Sequence, residues 1–144
     1  YCAASELLNL MARSLTGRML TPELLYGPEK QEKSVITGKV DVKALAEEVF
    51  RHTERVLGFK QLPGLYRVGD SFVSPVDAFA MLSKALLEGQ TQIGAVEGRL
   101  AAADHVNEAS QFGGGWALWD PDFRAEGIFE QTKLQCWTLK PAIF

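Results

Sequence analysis

Cysteine is scarce in this chain: Cys2 and Cys136 are the only two among 144 residues. Two thiols cannot build a structural zinc centre by themselves. They leave two options, one bridge closing nearly the whole chain in an oxidising compartment or two independent thiols. Histidine is equally scarce. His52 and His105 stand alone, and neither Cys-x-x-Cys nor His-x-x-x-His occurs, so metal-ligand spacing is missing. Basic clusters are missing too. The net charge is −3, which argues against a nucleic acid as main partner, because phosphate neutralisation needs concentrated Lys and Arg. No apolar run is long enough to span a membrane, a length of about 20 residues.

What is present suits a folded domain. The chain is 47% hydrophobic and 23% charged, enough to bury a core, and its length fits one domain over residues 1–144. Residues 3–15, "AASELLNLMARSL", place Leu7, Leu8, Leu10, Met11 and Leu15 on a helical face, with Gly17 as a stop. Residues 18–40 lose that period and read as an extended connector whose Leu24, Leu25 and Tyr26 lie on a neighbour. Residues 41–57 are the clearest helix. Val42, Leu45, Ala46, Val49, Phe50, Thr53 and Leu57 share one face, Asp41 suits the N-cap, and Val40 can staple onto Leu45.

"LYRVGDSFV" has β-favouring residues on both sides of Gly69-Asp70, the signature of a two-residue hairpin turn with Gly at its positive-φ position. Ser74 then caps a helix with Pro75 in its first turn and Asp77 facing the positive end of the dipole. Phe79, Leu82 and Leu86 form its expected buried stripe, and Gly89 ends it. A further helix is expected over residues 93–111, with Ile93, Val96, Leu100, Ala103 and Val106 inward, and a short one near residues 124–135. The fold expected is α+β and mainly α: three to four helices, one short β-hairpin, and an irregular aromatic C-terminal extension.

One internal echo stands out. "SELLNLMARSL" (5–15) aligns with "VDAFAMLSKAL" (76–86), matching Glu6 to Asp77, Met11 to Leu82 and Arg13 to Lys84. It suggests an array whose first unit starts midway. Residues 3–39 would be a half-repeat, 40–89 a full unit, and 90–144 an extension.

The pieces "VDVKALAEEVFRHTERVLG", "LPGLYRVG" and "VSPVDAFAMLSKAL" occur in an order that resembles the pseudomurein-binding repeat, a cell-wall-binding repeat. The likeness covers roughly residues 5–88. The family's Asn-Tyr after the Pro is replaced here by Gly64-Leu65-Tyr66. The resemblance implies a non-catalytic, extracellular or cell-surface module whose partner is a cell-wall polysaccharide or glycopeptide. The rival reading is a structural subunit that packs on copies of itself in an extracellular filament or surface layer.

Catalysis has weaker support. Glu47, Glu48, Asp120, Asp122 and Glu126 are carboxylates that could pair for glycoside chemistry, but the first two fall on a solvated helix face and the next two flank a turn proline. "GGG" at 113–115 lacks the Lys of a phosphate loop, so no nucleotide and no cofactor is expected. The ligand-binding candidates are Trp116, Trp119 and Trp137, whose flat rings can stack on sugar faces, with Tyr66 beside the hairpin turn extending that surface. The competing role for these rings is to fill the core of a helix-poor region.

Overall fold

Helix α1 runs over Ala4–Leu15, and α2 over Val42–Arg55 packs along it. A computed structural model describes residues 2–55, 60–99 and 128–140 of the chain. In chain order the remaining elements are β1 (Tyr26–Pro28), β2 (Val40–Asp41) before α2, β3 (Gln61–Leu62), β4 (Tyr66–Val68), β5 (Ser71–Val73), α3 (Pro75–Glu88), β6 (Gln92–Ile93) and α4 (Ile128–Gln135). A 3₁₀ turn over Cys136–Thr138 follows α4. The fold is α+β and mainly α. Its strands form small pairs: β1 parallel to β3, β2 antiparallel to β6, and the β4–β5 hairpin. No described helix is long and apolar enough to cross a membrane.

The helical period decides what is buried. Leu8, Met11 and Ala12 of α1, Leu45, Val49 and Thr53 of α2, and Ala78, Met81, Leu82 and Ala85 of α3 face one another. Phe50, on α2, is also buried. Two stripe positions differ from expectation. Phe79 is half-buried, and Leu86 is 39% exposed. The stripe of α3 rotates toward the small residues Ala78 and Ala85, which let the helix approach its neighbours closely.

Asp41 caps α2 by accepting from the Ala44 N–H at 2.7 Å, and Ser74 caps α3 by accepting from the Asp77 N–H at 3.2 Å. The hairpin turn is as read. Gly69 has φ 59° while Asp70 keeps negative φ, so positive φ falls only where no side chain resists it.

The helix expected over 93–111 does not begin there. Residues 92–93 are a strand, Ile93 pairing with Val40, and 94–99 are irregular. Gly94 and Gly98 make that stretch a poor helix, and Gly98 donates its N–H to Asp77 Oδ1 at 2.7 Å. The rest of the expected helix lies outside the described residues, as do Leu57, Gly58 and the "GGG" stretch. Of the three connector residues expected to lie on a neighbour, Leu25 is buried, whereas Leu24 and Tyr26 are exposed.

The chain ends meet. The Ser5 hydroxyl lies within reach of the Leu25 and Trp137 carbonyls, at 2.6 and 3.0 Å. Lys140 pairs with the buried Glu6 at 2.9 Å, and Thr138 accepts from the Gly27 N–H at 2.9 Å. Gly27 is indispensable to this clasp, because a Cβ there would sit 2.1 Å from the Leu134 carbonyl oxygen and 2.9 Å from Trp137 Cβ. The two thiols nevertheless stay separate. Cys2 and Cys136 are free, and Cys136 Sγ turns back on the Thr132 carbonyl at 3.5 Å.

Gly27→Ala is therefore expected to lose about 1–3 kcal/mol through overpacking. Gly94 has negative φ and nothing near its Cβ position, so Gly94→Ala should stay within about 0.5 kcal/mol of the parent. Urea melts of both variants check the pair; equal midpoints would mean that the tail does not pack on β1.

Candidate functional site

Tyr66 and Trp137 do not form an accessible aromatic surface. Tyr66 is 0% exposed, pairs with Val73 on the inner face of the hairpin, and sets its ring edge-on to His52 at 6.0 Å. Trp137 is buried against Phe79, edge-on at 5.8 Å. Both belong to the core, because the tail folds back on α1 and the hairpin turns Tyr66 inward. Among the described residues, neither the Tyr66 hydroxyl nor the Trp137 indole N–H has a hydrogen-bond partner. Trp116, Trp119 and His105 lie outside the described residues.

The strand alternation puts different residues outside. Arg67 and Phe72 are directly opposed across β4 and β5, and both are exposed. The Arg67 guanidinium sits 6.0 Å from the Phe72 ring centroid. An isolated bridge from a third segment extends the row. Val35 exchanges both backbone hydrogen bonds with Phe72 at 2.8 Å, and its side chain is 62% exposed. Residues opposed in this way share a face. Arg67, Phe72 and Val35 thus form a cross-strand platform, an aromatic ring in the middle with a cation on one flank and an aliphatic side chain on the other.

The platform is held from beneath. The Ser34 hydroxyl donates to Asp77 Oδ2 and accepts from the Ser74 N–H at 2.8 Å. Ser71 Oγ accepts from the Thr37 N–H at 3.0 Å. These bonds fix residues 34–37 between the hairpin and the start of α3. Beside them a groove of about 210 Å³ opens between Ser34, Ile36, Asp77, Ala95, Val96 and Glu97.

The carboxylates considered for catalysis are otherwise engaged or not described. Glu47 takes a two-pronged contact from Arg18 at 3.0 and 2.9 Å, which holds its carboxyl below the ordinary range. Glu48 lies 3.8 Å from His52. Asp120, Asp122 and Glu126 lie outside the described residues. Among the described residues no three His, Cys, Asp or Glu side chains group as metal ligands.

No family model matches the chain, and no curated protein or solved structure matches it either. The platform was legible in principle. Arg67 between Tyr66 and Val68 marks the outward position of a period-two strand, which forces Tyr66 inward and Phe72 outward.

Burial drives the Tyr66 phenol far above its ordinary range, with a smaller push from the Glu48 charge. A buried hydroxyl without a partner contributes no net stability. Tyr66→Phe should therefore melt at or above the parent temperature at pH 7. In the unfolded chain the phenol titrates near about pH 10. The folded state keeps its proton longer, so this contribution is intact below that pH and is lost as pH rises above it, by up to about 1.4 kcal/mol per pH unit. Tyr66→Phe should lack that part of the alkaline slope. A loss above about 1 kcal/mol at neutral pH would show instead that the hydroxyl is satisfied.

Proposed function

We propose that this chain is a non-catalytic module of a secreted or cell-surface protein that binds a cell-wall polysaccharide or glycopeptide through the outer face of its hairpin. The observation that carries the reading is the exposed row Arg67–Phe72–Val35, built on short strands that are anchored to a helix terminus. An open aromatic ring beside a cation suits a sugar that carries a carboxylate, the ring taking the sugar face and the guanidinium the acid. The resemblance of residues 5–88 to pseudomurein-binding repeats supports the same class of partner. The ligand surface moves from Tyr66 and Trp137 to their outward-facing neighbours.

A second reading has its own observation. Met19, Leu20 and Leu24 are 80%, 59% and 58% exposed on one connector, and Leu87 is 87% exposed on α3. Exposed apolar groups clustered along one segment fit a contact between copies of the chain in a filament or layer.

Sedimentation of the protein with purified cell walls tests the first reading. Phe72→Ala should weaken binding at least thirtyfold, about 2 kcal/mol as for a central aromatic anchor, and Arg67→Ala should weaken it less, with unchanged melting. Unaltered wall binding by both variants would remove the platform from the reading. Concentration-dependent assembly without any polymer, abolished by Met19→Ser with Leu20→Ser, would favour the second.

A further inference from the structure

The internal echo extends past the helices. Each of α1 and α3 carries an acid at its third position, Glu6 and Asp77, and each is followed by a positive-φ glycine, Gly17 and Gly89. About ten residues further on, the chain returns across the start of the same helix. In the first unit Leu25 meets Ser5 and Gly27 follows. In the second, 71 residues later in each case, Val96 packs on the core and Gly98 lies on Val76. A Cβ on Gly98 would come 2.1 Å from the Val76 carbonyl oxygen, as one on Gly27 would from that of Leu134.

The two return segments differ in what lies beside them. Residues 26–28 are a strand. Tyr26 pairs with Gln61 in parallel, the Tyr26 N–H donating to the Lys60 carbonyl at 2.8 Å and the Glu29 N–H to that of Leu62 at 3.0 Å. Gly27 and Pro28 are buried there. Among the described residues, the corresponding residues 97–99 pair with no strand. Glu97 and Arg99 are exposed, Gly98 is half-buried, and the aliphatic wall of Ile36, Ala95 and Val96 stays open in the groove alongside.

We infer that residues 97–99 are an open strand edge that accepts, in parallel, an extended Gln-Leu-Pro-type segment from a further unit of this same design. The first unit supplies the template, in which Gln61–Leu62 lies on the matching edge and Leu62 is buried. By that register the incoming backbone receives the Glu97 N–H, and its leucine enters the groove against Val96 and Ile36. Main-chain bonds give the attachment and the side-chain pocket gives the selection, the division of labour in β-augmentation. One short strand binds weakly when free, and its occupancy rises when a linker raises its effective concentration. The inference does not depend on wall binding.

The test is the synthetic peptide Lys-Gln-Leu-Pro-Gly-Leu-Tyr, the sequence of residues 60–66, titrated into isotopically labelled protein and followed by amide chemical shifts. Shifts should centre on residues 95–99 and vanish for a peptide N-methylated at its first leucine, which removes a strand donor and leaves the protein untouched. Glu97→Pro, which removes the donating N–H of the edge, should abolish them while the hairpin amides keep their positions. A spin label on the peptide N-terminus should broaden residues 95–96 more than 98–99, as parallel pairing demands. The inference is overturned by no shifts at millimolar peptide, by shifts confined to residues 26–28, by an N-methylated peptide that binds equally well, or by the reverse broadening pattern.

Discussion

A single carboxylate at the start of α3 organises everything on that side of the molecule. Asp77 accepts from the Ser34 hydroxyl on one oxygen and from the Gly98 N–H on the other. Ser34 accepts in turn from the Ser74 N–H, and Ser74 accepts from that of Asp77. Three chain segments, represented by Ser34, Asp77 and Gly98 and separated by 43 and 21 residues, close on one helix terminus. The location suits an anion, since the first turn presents unpaired N–H groups and the positive end of the helix dipole. Ser34 sits one residue before Val35, so the third segment of the platform is fixed by this bond. Gly98 sits within the open edge, so that edge is fixed by it too. A neutral side chain of the same shape could satisfy only part of the arrangement, because two donors converge on one charge.

The other side of the molecule solves a different problem. α1 turns a polar stripe inward as well as an apolar one: Ser5, Asn9 and Arg13 are all buried. The connector and the tail cover them. Arg13 donates to the Met19 carbonyl and pairs with Glu23, which also takes Lys60. Arg13 and Arg18 flank the Phe50 ring at 5.1 and 4.1 Å. Ion pairs this near the surface contribute about 0–1 kcal/mol each. Their larger role is to lay two guanidinium planes on Phe50 and so keep water from it, with Arg18 itself held by Glu47. Among the described residues Asn9 makes no protein hydrogen bond at either amide atom, an arrangement that costs about 1–3 kcal/mol.

Local chemistry made the helices and the hairpin legible. Asp41, Ser74 and Gly89 act where their side chains or their freedom of φ dictate, and the three-and-four spacing of Leu45, Val49 and Thr53 is the buried face. What escaped the sequence is long-range. Nothing local says that Ile93 would pair with Val40, or that Asp77 would reach Gly98 and so hold the chain away from helix. Leu86 was placed inward by periodicity alone, yet small residues at Ala78 and Ala85 set the direction of closest approach. Two of the rings expected to be open, Tyr66 and Trp137, are buried for a subtler reason. Aromatic content pointed to Tyr66 and Trp137, but a ring flanked by apolar neighbours on an inward strand position, or returned onto a helix by the chain, is core. Exposure follows the alternation around Arg67, and that selects Phe72.

The two unit-like halves are each completed from outside. The third-position acid of α3 is met by residues 34–37, which precede its unit's own helix α2, and by the return segment. That of α1 is met by Lys140 and by its own Ala3 N–H. The tail, through Ser5, Gly27 and Glu6, thus covers the start of α1 as residues 34–37 cover the start of α3. This explains why Trp137 had to be buried. Its carbonyl takes the Ser5 hydroxyl while its ring packs on Phe79, and a ring given to that role is not free to stack on a ligand.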